Sequence, residues 1–135
     1  MKHFTRTLVL GFLALICGCN QNAQQSTAAK RGPHNGTKTY FLYIKIPEQI
    51  MPMDRGTKYE DPINDLLTQH HLGEVSGGGT MLTKDKQIEY VGLDVDVTDT
   101  EKAIPLLISK LKEIGAPKGT VIEQNEPEKK TIPVE

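Results

Sequence analysis

Residues 87–97 read QIEYVGLDVDV, and towards the end of this stretch every second residue is aliphatic: Leu93, Val95 and Val97 alternate with Asp94 and Asp96. A period of two is the period of a β-strand, whose successive side chains point to opposite faces of the sheet. The alternation sets the architecture. One face of this sheet should be covered by helices, and the other, carrying Tyr90, Asp94 and Asp96, should meet water. Residues 39–46, TYFLYIKI, carry a matching pattern ahead of Pro47, with Tyr40, Leu42, Ile44 and Ile46 facing the helices. That leaves Phe41, Tyr43 and Lys45 on the open side.

The helices are legible from a different period. In residues 61–73, DPINDLLTQHHLG, the residues Ile63, Leu66, Leu67 and His70 fall on one helical face. Asp61 is expected as N-cap, Pro62 as the first helical residue and Gly73 as the residue past the end. Residues 98–115 predict a second helix with a capping box from Thr98 to Glu101 and an apolar face of Ile104, Leu107, Ile108, Leu111 and Ile114. Pro105 is awkward inside it, and a later start or a first-turn kink would accommodate it. Strands at 74–83 and 87–97 should form a hairpin through Lys84, Asp85 and Lys86, and residues 119–124 read as a last short strand.

The resulting β-α-β-β-α-β order resembles the ferredoxin-like split βαβ fold, an α+β class. The resemblance implies a four-stranded antiparallel sheet with two helices on one face, the first and third strands central and the second an edge. The segments EDPINDLL and LGEVSGGGTML are also similar to stretches of small uncharacterised bacterial αβ proteins, over about Tyr40 to Glu123, a resemblance that brings no functional residues with it. Ferredoxin-like domains host enzymes, metal chaperones, regulatory modules and structural proteins, so function has to be argued from sites.

The two ends carry other information. Lys2 and Arg6 precede the apolar run LVLGFLALI at 8–16, too short for a stable transmembrane helix and suited to an export signal over residues 1–18. The next residues, ICGCN, resemble the lipobox of bacterial lipoprotein precursors, with Ile16, Gly18 and Cys19 at the matching positions and Cys17 as a departure from the usual small or aliphatic residue. The resemblance implies that Cys19 is lipidated and becomes the mature N-terminus, holding the protein at a membrane on the outer side of the cytoplasmic membrane or in the outer membrane. A plain secretory signal or an uncleaved anchor is the alternative. Both cysteines of the chain lie at this boundary, so the exported domain has no disulfide, no thiol nucleophile and no thiolate metal site. Residues 19–38 read as a polar tether, and the charged, proline-containing residues 125–135 as a frayed tail, leaving 39–124 as the folded domain. Without residues 1–18 the chain keeps 14 basic and 17 acidic residues, a formal charge of about −3. No cluster of basic residues offers a nucleic-acid surface.

Several features invite a functional reading. Gly77, Gly78 and Gly79 invite comparison with a phosphate loop, but a phosphate loop runs from strand to helix N-terminus. Here the neighbouring helix end is a C-terminus and no Lys-Ser/Thr pair follows, so a bulge or kink in an edge strand is the preferred reading. His70 and His71 point about 100° apart on a helix and cannot ligate one metal from regular geometry. His70 is expected partly buried and His71 exposed; no metal or cofactor is expected. The open face, with Phe41, Tyr43, Lys45, Tyr90, Asp94 and Asp96, suits a protein partner or a homodimer contact, with Lys45 able to pair with an aspartate, although a solvated salt-bridged face would look similar. The long connection 47–62 offers Asp54, Arg55, Lys58 and Tyr59 to an anionic or peptide ligand; the equal alternative is that Ile50, Met51 and Met53 simply close the core's end. The expectation is a lipid-anchored, non-catalytic binding module. The alternative is a small-ligand sensor or enzyme using the 47–62 segment and the acidic strand face.

Overall fold

The computed structural model describes residues 38–135; the expected export signal, Cys19 and most of the tether lie outside the described residues. The elements run β1 (Tyr40–Ile46), α1 (Pro52–Arg55), a π-helical segment (Gly56–Glu60), α2 (Asp61–Gln69), β2 (Gly73–Leu82), β3 (Ile88–Val97), α3 (Thr100–Glu113), β4 (Val121–Gln124) and β5 (Lys130–Pro133). The sheet is antiparallel, five-stranded and ordered β2-β3-β1-β4-β5. The fifth strand corrects the expected four-stranded sheet and frayed tail. Ile132 lies opposite Ile122, and Val134, just beyond the strand, is buried and donates its N–H to the Thr120 carbonyl at 2.9 Å.

The alternating pattern of β1 and β3 decides the layers. Leu42, Ile44, Ile46, Val91, Leu93, Val95 and Val97 are all fully buried on one side of the sheet. Against them pack Ile63 and Leu67 of α2, and Ala103, Leu107 and Leu111 of α3. Ile104, Ile108 and Ile114 flank that stripe and are half-buried. Burying a side chain of this size stabilises the fold by about 1.5–3 kcal/mol before entropic costs.

Several local expectations are corrected. The connection 47–62 is helical from Pro52, so the loop is only its first few residues. Arg55, Gly56, Glu60 and Asp61 all keep right-handed helical dihedrals, and α1, the π segment and α2 join without a break. Asp61 is therefore not an N-cap; its N–H bonds the Gly56 carbonyl five residues back. That widened turn falls immediately before Pro62, whose ring would clash with the carbonyl of Lys58 in a regular α-helix. At the other end, the residue past α2 in left-handed geometry is His71, at φ 54°, not Gly73. Its N–H bonds the Thr68 carbonyl and that of Leu72 bonds Leu67, which closes a Schellman motif and leaves His70 exposed. Finally, α3 is capped by Asp99, whose Oδ1 accepts from the Lys102 N–H at 3.1 Å. Thr98 instead donates its N–H to the Leu72 carbonyl, tying β3 to the end of α2.

Candidate functional site

The six open-face residues come together. Phe41 and Tyr43 on β1 lie opposite Asp96 and Asp94 on β3, and Lys45 lies opposite Gly92. Directly opposed residues share a face, so the register adds Glu74 and Met81 of β2, facing Asp96 and Tyr90, and Glu123 of β4, facing Tyr43. Phe41 is 41% exposed. The face therefore combines three aromatic rings with four carboxylates and one ammonium group.

Lys45 does not pair with an aspartate. Its Nζ lies 4.2 Å from the centroid of the Tyr90 ring, a cation–π contact that draws Lys45 and Tyr90 into one unit. Tyr43 lies across Gly92, where an added Cβ would overlap its ring and hydroxyl. The close approach has an electrostatic effect. Burial pushes the Tyr43 phenol up to about 12, and Tyr90, Asp94 and Glu123 add to the shift by disfavouring a second negative charge. Alternation places Gly92 on the open face with Tyr90, Asp94 and Asp96, but not beneath the Tyr43 ring, a contact set by the pairing of β1 with β3.

The residues expected from the 47–62 connection are distributed differently. Asp54 is exposed, whereas Tyr59 is a fully buried core residue. Its hydroxyl donates to Glu48 Oε2, and Lys58 Nζ reaches Glu48 Oε1 at 2.6 Å. Burial pushes the Glu48 carboxyl up, but the hydrogen bonds from Lys58 and Tyr59 outweigh it and hold the carboxyl below its ordinary range. Glu48 in turn raises Lys58, and burial together with Glu48 raises the Tyr59 phenol to about 12. Arg55 is also turned inward: Nε meets Glu60 Oε1 at 2.5 Å and Nη1 donates to Thr80 Oγ1 at 3.1 Å. Glu48, Glu60 and Thr80 are the partners that sequence reasoning missed. They lie 5 to 25 residues away from the groups they bind, beyond any local spacing rule.

The glycine run explains how Arg55 and Glu60 fit. Gly78 opposes Leu93 and faces the helices, while Gly77 and Gly79 face outward. A Cβ at Gly78 would lie 2.8 Å from Glu60 Oε1 and 3.2 Å from Arg55 Nε, so its absence makes room for the ion pair against the edge strand. A register shift between Val75 and Gly77 puts a bulge at Ser76, just ahead of the run. Beside this network an open groove of about 550 Å³ is lined by Met51, Pro52, Thr80, Leu82 and Ile88, among others, and none of the six open-face residues lines it. Met51 and Met53 are exposed and do not close the core; Ile50 is half-buried against it. Among the described residues no group of three or more His, Cys, Asp or Glu side chains is placed to hold a metal ion.

Comparison with protein-family models, with curated proteins and with solved structures finds no significant match for the chain.

Proposed function

We propose that the protein is a lipid-anchored, non-catalytic binding module that meets a protein partner through the uncovered face of its sheet. The carrying observation is the convergence of Phe41, Tyr43, Lys45, Tyr90, Asp94 and Asp96 on two neighbouring interior strands, with no helix over them among the described residues. With Glu74 and Glu123 added, the carboxylates outnumber the single ammonium group, and aromatic rings bordered by carboxylates complement a cationic surface. The lipid anchor rests on Ile16, Gly18 and Cys19 behind the short apolar run. We further read β1 to β4 as a ferredoxin-like core, since their order β2-β3-β1-β4 with α2 and α3 on one side supports it, and β5 as an addition at the β4 edge. The ligand-sensor alternative draws less support, because Arg55, Lys58 and Tyr59 direct their polar groups towards Glu60, Thr80 and Glu48.

Two variants test this reading. Cys19→Ser should abolish both lipid labelling and membrane association; retention at the membrane without label rejects the anchor. Substituting Phe41, Tyr43 and Tyr90 together by Ser should remove partner crosslinks in the native membrane while a cooperative thermal transition persists. A folded triple variant that keeps every crosslink of the parent rejects the face.

A further inference from the structure

The two edges of the sheet are built differently. β5 is four residues long, carries Lys130 and Pro133, and follows Pro127 and Lys129. Shortness, lysine and proline are among the devices that keep an edge from pairing with another chain. β2 has none of these three, and its one such device is the bulge at Ser76, at one end. It spans ten residues, GEVSGGGTML, without proline, lysine or arginine, and Glu74 is its one charge. Its outer row of backbone N–H and C=O groups faces no strand among the described residues.

The regular part of that edge is short and well placed. An extra residue interrupts β2 at Ser76, and one interrupts β3 at Glu89 opposite Met81 and Leu82, leaving Gly77–Met81 in unbroken register with β3. Gly79 is the middle residue of these, and an added side chain there would meet nothing within 4 Å. The strand is also charged asymmetrically. The turn beyond Leu82 exposes Lys84 and Lys86, whereas the opposite end carries Glu74 beside Asp96. An antiparallel copy of the same strand brings each positive end to a negative one.

We propose that the protein forms a homodimer by antiparallel pairing of two β2 edges about a two-fold axis at Gly79. In that register Thr80 lies opposite the partner's Gly78 and Met81 opposite the partner's Gly77, and beyond the bulge at Ser76 the turn with Lys84 and Lys86 comes beside the partner's end with Glu74 and Asp96. The two five-stranded sheets become continuous, the contact is isologous, and the exposed Met81 and Leu82 flank the axis. Phe41, Tyr43, Lys45, Tyr90, Asp94 and Asp96 stay free in both copies, and although Glu74 borders both contacts, the Phe41, Tyr43 and Tyr90 variant tests the partner face without touching the β2 edge. An edge pairing buries less than the roughly 1,600 Å² of a standard interface, so the association is weak in solution. It strengthens where an anchor confines both copies to one surface and raises their effective concentration.

The full-length chain in detergent tests this by sedimentation over concentrations up to about 100 μM, a range that reads weak association. A monomer–dimer equilibrium is expected. Glu74→Lys and Lys84→Glu should each weaken it about tenfold, since each reversal acts where oppositely charged ends meet at two symmetry-related places, and the double variant should restore it to within about threefold. Both side chains are exposed, and thermal melts check that each variant is folded. Gly79→Cys should give a disulfide-linked dimer on mild oxidation, above any crosslinking of the parent chain, and Ser109→Cys on the exposed side of α3 should not. A chain monomeric throughout the range overturns the proposal. So does a dimer that is indifferent to the charge reversals, or an absence of crosslinking at position 79.

Discussion

At the scale of single residues the open face depends on a glycine. Gly92 is buried although it lies on the uncovered side, because the Tyr43 ring covers it. That contact keeps water from the phenol and contributes to raising it to about 12, the same level that Tyr59 reaches through burial and Glu48. The linkage follows from the direction of the shift. A phenol raised in the folded state contributes stability that is fully present below its unfolded value of 10.0 and is lost as pH rises through about 12. Alkaline titration of the tyrosinate absorbance should therefore show a late step assigned to Tyr43 and Tyr59, with unfolding resistance falling across the same window. Tyr43→Phe and Tyr59→Phe should each remove part of the late step. Gly92→Ala should displace the Tyr43 ring into solvent and draw its titration back towards 10. A late step that Gly92→Ala leaves in place would show that the ring is shielded by something other than its seat on Gly92. The sequence places Tyr43 on the correct face by alternation, but which residue lies beneath it depends on the diagonal offset between β1 and β3, and that offset is a property of pairing.

At the scale of elements, strands β1 to β4 and the helix α3 were legible and the helical run from Pro52 to Gln69 was only half so. Leu42, Ile44 and Ile46 alternate cleanly, and Leu107 and Leu111 recur at the helical period, because each element buries one face along its whole length. Residues 52–60 carry Pro52, Gly56 and then Pro62, all of which read as punctuation. Their helical state comes from tertiary packing: Tyr59 is in the core, and Arg55 and Glu60 pair against the inner face of β2. Partner and cradle are therefore inseparable, and Gly78 is the part of β2 that permits it. Gly78→Ala should destabilise the fold by about 1–3 kcal/mol, the usual cost of forcing atoms into an occupied site, whereas Gly79→Ala should stay within about 0.5 kcal/mol. In a Glu60→Ala background the Gly78→Ala penalty should shrink without vanishing, since the Gly92 carbonyl would still lie 2.9 Å from the new methyl group. Urea unfolding of the four chains gives the cycle, and equal penalties in both backgrounds would separate Gly78 from the ion pair.

At the scale of the whole molecule, the sheet has two ends of opposite character, and only one was visible in the sequence. The glycine-rich β2 announced an irregular edge, and the bulge at Ser76 lies beside the run that suggested it. β5 was masked by its neighbours. Four residues among lysines, glutamates and prolines give a propensity signal too weak to stand against the composition of the tail. What holds β5 is again tertiary: Ile132 half-buried opposite Ile122, Val134 buried, and a hydrogen bond from Val134 to Thr120. A chain ending at Asn125 loses those contacts and leaves β4, with Ile122 and Thr120 at its margin, as the new edge. Since burying one aliphatic side chain fully is worth about 1.5–3 kcal/mol, and Ile132 is only partly covered, the truncation should lower the unfolding free energy by about 3 kcal/mol. The denaturant midpoint of the truncated chain should fall while its far-ultraviolet signal stays that of an αβ domain. Coincident midpoints would mean that residues 126–135 contribute nothing, and that the fold closes at β4 as a four-stranded sheet.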